Sequence, residues 1–339
     1  MDTAERQLVT LETVVDVRPI PDADAIESLT VRGWNVVAKK GQFKTGDRCV
    51  YIEIDAALPL CDPRFAFLEA RGAKTLGDGK RVHVLKTARL RGVYSQGLVL
   101  PLDDFPELAN QTVTDLAAIL DIEKYDPPLP ASMGGEAIGA FPTSLARKTD
   151  AERAQNLTDQ WQAIVAAGPW IATEKIDGTS LTVVNDDGRL RVCGRNWELA
   201  DGANVYWEAV RAHALDSLLQ PGDVLQAEVY GVGVQANPLK VRARTLAVFG
   251  YSRARVGVPR SDWPVELQLL GAPIYADLQL PDTIDAAVRQ ADGIRSLVNP
   301  DVGAEGVVWV RESGEPMMEL DGRSIFKVIS NKYLLKHGG

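Results

Sequence analysis

The stretch Trp170-Ile171-Ala172-Thr173-Glu174-Lys175-Ile176-Asp177-Gly178-Thr179-Ser180-Leu181-Thr182-Val183-Val184 sets apolar and β-branched residues on both sides of one lysine. Two strands are expected, with Lys175 at the bend between them. A lysine–X–aspartate–glycine is common by chance, and a strand-end surface lysine would explain it. The residues downstream shift the balance. Glu228 precedes Val229-Tyr230-Gly231, and Glu305 opens Glu305-Gly306-Val307-Val308. Lys327 and Lys332 lie in Phe326-Lys327-Val328-Ile329-Ser330-Asn331-Lys332.

These residue types suit attack on a nucleotide phosphate. An unprotonated amine is a nucleophile, and a nearby cation or desolvation can lower its pKa. Asp177, Glu228 and Glu305 offer hard oxygens for a hydrated Mg²⁺ or Mn²⁺. Such an ion would also offset charge developing on the phosphate. Lys327 and Lys332 add point charges, and Arg195 adds a planar fork for phosphate or ribose oxygens. Phe249 offers a ring that either stacks on a base or belongs to the core. Glu228 and Glu305 have a plainer alternative as strand-edge acids.

The remaining composition excludes several other chemistries. With 339 residues, about two domains are expected. Apolar residues make up 45% and charged residues 24%, an ordinary globular balance with no run long enough to span a membrane. The first residues lack a secretory pattern. Cys49, Cys61 and Cys193 are widely spaced, which fits a reduced, cytoplasmic setting. Three scattered histidines do not make a zinc site or a serine triad. A net charge of −9 argues against indiscriminate binding along a phosphate backbone. Basic residues are nevertheless focused between Arg71 and Arg91, which includes Lys74, Lys80, Arg81, Lys86, Arg89 and Arg91.

In chain order, Leu8 to Leu100 reads as short strands with turns between them. A five-stranded OB-type barrel fits that length, and such barrels commonly bind nucleic acid. A barrel that only supports its neighbour is the alternative. Val113 to Ile122 is weakly helical. Asp126-Pro127-Pro128-Leu129-Pro130 then marks a linker, dividing the chain into 1–128 and 129–339. Thr149 or Asp150 is expected to cap a helix running through Arg153. Asp186-Asp187-Gly188 should turn a hairpin that returns through Arg189–Cys193 to Arg195. Helices are expected over 204–219 and 284–298. The expected fold class is therefore α+β, an N-terminal OB-like barrel followed by a mixed second domain.

The ordered set resembles the motifs of covalent nucleotidyltransferases: ATP-dependent RNA and DNA ligases and capping enzymes. It comprises the lysine motif, Gly194-Arg195-Asn196, Glu228-Val229-Tyr230-Gly231, Val248-Phe249, Glu305-Gly306-Val307-Val308 and Phe326-Lys327-Val328-Ile329-Ser330. A barrel placed before the transferase domain is similar to the nick-sealing RNA ligases of the Deinococcus and Naegleria type. Ile20-Pro21-Asp22-Ala23-Asp24-Ala25-Ile26-Glu27 and Val93-Tyr94-Ser95-Gln96-Gly97-Leu98 look like that family too.

The resemblance implies an RNA ligase whose Lys175 accepts AMP from ATP. It implies Glu174, Arg195, Glu228, Phe249, Lys327 and Lys332 around the nucleotide. Asp177, Glu228 and Glu305 would hold metal waters, with Mg²⁺ or Mn²⁺ as the ion. The expected partner is a nicked duplex with an RNA 3′-hydroxyl end, gripped partly by Lys86, Arg89 and Arg91. A monomer without membrane attachment is expected. The chain departs from the family pattern twice: Ile329 stands where many RNA ligases carry a second lysine, and Gly250 where an aspartate is usual. Tyr251 therefore rivals Phe249 as the stacking ring. Two other classes stay open, a GTP-using capping-type guanylyltransferase and a non-catalytic RNA-binding module built on the barrel.

Overall fold

The computed structural model describes residues 6–108, 111, 115–126 and 134–338. Among these, residues 6–126, 154–159 and 331–338 pack as one compact unit, and residues 134–153 and 160–330 as another. A single cut at 128 assigns 154–159 and 331–338 to the second domain; their packing groups them with the first. The proline run that marks the cut lies outside the described residues.

The first unit is organised on the strand Val9–Pro19. Its first half pairs antiparallel with Arg48–Ile52 and its second half with Ile26–Val31. An irregularity between Val14 and Asp16 separates the halves, and a bulge there bends and twists the strand. One strand thus serves both flanks of a curled five-stranded sheet. Its order is Leu98–Pro101, Arg48–Ile52, Val9–Pro19, Ile26–Val31, Trp34–Lys39. Val14, Leu29, Trp34, Val36 and Tyr51 are among the residues buried together on it. No ladder joins the two outer strands among the described residues. Gln96 N donates to Asn35 O (2.8 Å) and Val37 N to Ser95 Oγ (2.9 Å) instead. The expected OB barrel is therefore a curled sheet laced at its free edge. Segment 154–159 is tied in by polar bonds: Trp34 Nε1 donates to Asn156 Oδ1, and Asn156 Nδ2 to Glu53 Oε1, both 2.6 Å. Arg6 completes the pairing of this buried carboxylate, since an unpaired buried charge is costly.

The second unit contains two sheets. The larger has seven strands, in the order Ala137–Ala140, Trp197–Leu199, Arg189–Cys193, Thr179–Asp186, Asp223–Tyr230, Thr245–Arg253, Val256–Gly257. The smaller runs Glu152–Arg153, Ile325–Ile329, Gly306–Arg311, Trp170–Lys175. Residues 176–178 carry the chain from the smaller sheet to the larger, so the expected bend at the lysine is a crossover between sheets. The turn at Asp187 and Gly188 has positive φ at both residues, which suits a tight hairpin. Among the described residues no helix is long and apolar enough to cross a membrane.

Three helix expectations need correction. Glu152–Arg153 is a strand, paired parallel with Phe326 and Lys327, followed by a 3₁₀ turn at Ala154–Asn156. The sheet edge captures a backbone whose local preference was helical. The 204–219 helix is two, Val205–Ala212 and Leu215–Leu218, broken where Ala214 takes a left-handed conformation. Asn204 caps the first, accepting from Tyr206 N and Trp207 N. The 284–298 helix ends at Gly293, and Ile294 is already extended. The described part of the weakly helical stretch forms one short helix, Leu116–Ile119.

Candidate active site

Lys175 ends its strand opposite Gly306, which brings Glu305 alongside it. The Lys175 Nζ to Glu305 Oε2 distance is 2.8 Å. Two motif glycines allow this crowding. A Cβ on Gly306 would lie 2.2 Å from Val328 O, and one on Gly178 would lie 2.2 Å from Val229 O and 3.0 Å from Glu228 Cγ. Both 2.2 Å separations are far below van der Waals distance, so any side chain there would push apart the strands carrying Lys175, Glu228 and Glu305.

The electrostatics show how closely these groups gather. Burial works to lower the Lys175 pKa, but Glu305, Glu228 and Asp177 outweigh it and raise it. The resting pocket therefore holds an ammonium. Burial is also the largest influence on Glu228, whose pKa is pushed up to about 8. Lys175 and Arg195 oppose that rise, while Glu305 and Asp177 add to it. Glu305 is likewise raised, by burial first and then by Asp177, against the pull of Lys175 and Lys327. Three carboxyl groups gather around one lysine, and the rise at Glu228 and Glu305 reflects how poorly a buried site tolerates that much negative charge.

The other candidates occupy distinct places. Arg195 is exposed and donates to Asp150 Oδ1 (2.8 Å), with its charge still felt by Glu228. Lys327 stands opposite Val308, on the strand next to the one that follows Glu305. Glu174 is buried and turns to the loop after the helix Ile284–Gly293, where Leu297 N donates to its Oε2 (2.7 Å). Its Oε1 is buried without a hydrogen-bond partner among the described residues. Burial raises its pKa. Lys332 stands on the helix Asn331–His337, which packs with the first unit.

A bulge separates the two rings. Gln226 pairs with Gly250 and Ala227 with Val248, leaving Phe249 as the extra residue. Phe249 packs with Ile176, Tyr230 and Ala272 beside the lysine motif. Tyr251 faces the opposite core with Val248 and Trp263, and its hydroxyl donates to Asp223 Oδ2 (2.6 Å). Tyr251 is thus a core residue. Gly250 leaves room for Gln226: a Cβ there would lie 3.2 Å from Gln226 Oε1.

Ser180 joins the site without having stood out in the sequence. It stands opposite Glu228 and shares a 3.0 Å hydrogen bond with Thr149. A lone serine in a β-branched run gives no sign of such a placement.

In the first unit the basic run divides. Lys80 pairs with Asp121, Arg81 pairs with Glu69, and Lys74 sits over the Tyr125 ring. Lys86, Arg89 and Arg91 have no carboxylate partner among the described residues and are exposed. Arg89 lies on the hairpin Ala88–Leu90/Val93–Ser95, with Arg91 at its turn.

Among the described residues, no three His, Cys, Asp or Glu side chains converge as direct metal ligands. The donor set at Lys175 is three carboxyl groups, Asp177, Glu228 and Glu305, whose hard oxygens suit a hydrated divalent ion held through its waters.

An RNA ligase family model matches residues 168–329, and an OB-fold domain model matches residues 8–102. Solved structures of Naegleria gruberi RNA ligase match almost end to end. The form with PPi is 38% identical with a TM-score of 0.84, covering 98% of this chain and 99% of that one. A glutamate-to-alanine variant with AMP and Mn is 39% identical at a TM-score of 0.85, with coverages of 98% and 99%. A lysine-to-alanine variant with ATP and Mn is 38% identical at 0.85, again covering 98% and 99%. No curated protein sequence matches. The chain belongs to the RNA ligase family.

Proposed function

We propose that this chain is an ATP-dependent RNA ligase that joins a 3′-hydroxyl to a 5′-phosphate at a nick through lysyl-AMP. The observation that carries the reading is Lys175 at a sheet crossover, 2.8 Å from Glu305 and within the fields of Glu228 and Asp177. The solved relatives with ATP or AMP and Mn support the donor and the ion.

Lys175 Nζ gives up its proton and attacks the α-phosphorus of ATP. The N–P bond forms, the bond to the β-phosphate bridge breaks, and pyrophosphate leaves. The 5′-phosphate then displaces the lysine and takes the AMP. Last, the 3′-hydroxyl attacks the adenylated 5′-phosphate, and AMP departs. Asp177, Glu228 and Glu305 would hold the waters of Mg²⁺ or Mn²⁺. That ion supplies positive charge, which offsets phosphate charge and weakens the carboxylates' hold on the Lys175 proton. Lys327, Lys332 and Arg195 supply donors for phosphate or ribose oxygens. Phe249 offers an apolar wall, and the buried Glu174 carboxyl lies next in sequence to Lys175.

Incubation with labelled ATP or GTP tests the donor. ATP should label the chain and GTP should not; GTP labelling would make it a guanylyltransferase, and no labelling a binding module. Sealing of nicked duplexes with RNA or DNA on either side then defines the substrate.

The first unit is proposed as a second grip on the duplex, with one chain as the working unit. Replacing Lys86, Arg89 and Arg91 by Gln should weaken nick binding. The slope of log affinity against log salt should flatten by about 0.9 for each phosphate that is no longer neutralised. Point changes are preferable to removing 1–128, because Asn156 is bonded into the first unit. An unchanged slope would reduce the curled sheet to a support.

A further inference from the structure

Across the second unit, arginines are generally matched to acids. Arg189 and Arg191 meet Glu198, Arg211 meets Asp201, Arg244 meets Glu208, and Arg253 meets Asp223. Others bond only neutral oxygens, as Arg260 does to Ala272 O and Arg295 to Asp301 O, and four such cations gather around one loop. Arg147 Nη1 donates to Gly322 O (3.1 Å), Arg323 Nη1 to Lys148 O (3.1 Å), and Arg255 Nη1 to Ser144 O (2.5 Å). Lys148 Nζ donates to Asn196 Oδ1 (3.1 Å). Every one of these acceptors is neutral. Among the described residues, none of the four cations forms an ion pair with a carboxylate. Asp150, Asp321 and Glu152 act on Arg323 from beyond ion-pair distance, while Arg147 repels it, and the cluster still places four cations around one loop with no direct carboxylate contact among the described residues.

The neutral acceptors hold these side chains in place without a direct carboxylate contact. That is a prearranged receiver for a polyanion. The loop is also fixed beside the lysine pocket. Gln226 Nε2 donates to Arg147 O (2.7 Å), and Thr149 bonds Ser180, which stands opposite Glu228. The cations come from three separate parts of the chain, and Arg147 and Arg255 are exposed. A surface assembled this way suits a long run of phosphates better than one triphosphate.

We propose that Arg147, Lys148, Arg255 and Arg323 receive the backbone phosphates of the nucleic-acid strand whose end reaches Lys175. This rests on the ligase reading and names the face of the second unit that takes the substrate.

The test uses the full chain and a nicked duplex, with binding measured over a range of KCl. For R147Q/K148Q/R255Q, the slope of log affinity against log salt should fall by about 2 to 3, at about 0.9 for each phosphate released. Affinity at 0.15 M salt should fall at least about tenfold. The charge-keeping R147K/K148R/R255K should restore the slope. In the unaltered chain, the nicked duplex should shield Lys148 from an amine-acylating reagent, and ATP should not. An unchanged slope in the Gln variant overturns the proposal, as does shielding by ATP alone. If the Gln variant does not fold, the shielding experiment decides. Failure of the unaltered chain to take label from ATP would count against the ligase reading itself. Normal labelling with an unchanged slope would count against this surface alone.

Discussion

Lys175→Ala should reduce covalent labelling by ATP to background. A phosphoramidate needs an amine, and no other lysine is brought to Glu305 at ion-pair distance among the described residues. The pocket makes the comparison with Lys175→Arg useful. The resting lysine is held as an ammonium by Glu305, Glu228 and Asp177, so its charge and its nucleophilicity are separable. Arginine keeps the charge but does not deprotonate in a protein. Both variants should therefore lose labelling, while the arginine variant retains more of the fold's stability in thermal melts. Labelling of either at the level of the unaltered chain would remove Lys175 from the mechanism.

Glu305→Ala should lower metal-dependent adenylylation by about 100-fold, the scale on which groups supporting a metal site act. Two effects compete here, and the sign of the result tells them apart. Losing the carboxylate frees Lys175 from its ion pair, which favours the unprotonated amine. Losing it also removes one of the oxygens that would keep a divalent ion near the phosphate. If Glu305 only restrained the lysine, labelling would rise. A fall, accompanied by a higher metal requirement, places Glu305 with the ion. Unchanged labelling and an unchanged metal response would make it a structural strand-edge acid.

Some of this was legible in the sequence because local chemistry decides it. Asp187 and Gly188 adopt the positive φ that the hairpin needs, and the lysine motif forms the bend that its flanking β-branched runs require. Other features depend on approaches between distant segments. Nothing local in Gly178 or Gly306 announces the carbonyl that would collide with a side chain there. Glu152–Arg153 carries helical neighbours, yet the edge at Phe326 takes its backbone into a ladder. The basic run from Arg71 to Arg91 looks uniform in sequence. Asp121, Glu69 and Tyr125, brought in by folding, engage three of its members and leave Lys86, Arg89 and Arg91 without carboxylates. Phe249 and Tyr251 share one face of an ideal strand, and only an extra residue in the ladder separates them.

That extra residue gives the strand Thr245–Arg253 two independent faces of responsibility. Before it, Ala247 and Phe249 line the side of Ile176; after it, Tyr251 joins Leu246 and Val248 on the side of Trp263. A mutation at Phe249 can therefore retune the wall beside the lysine without disturbing the Tyr251–Asp223 anchor. Deleting Phe249 itself would regularise the ladder, keep Tyr251 opposite Leu225 and its bond to Asp223, and remove only the ring beside the lysine. The wall beside the lysine can change while the scaffold on the other face stays fixed.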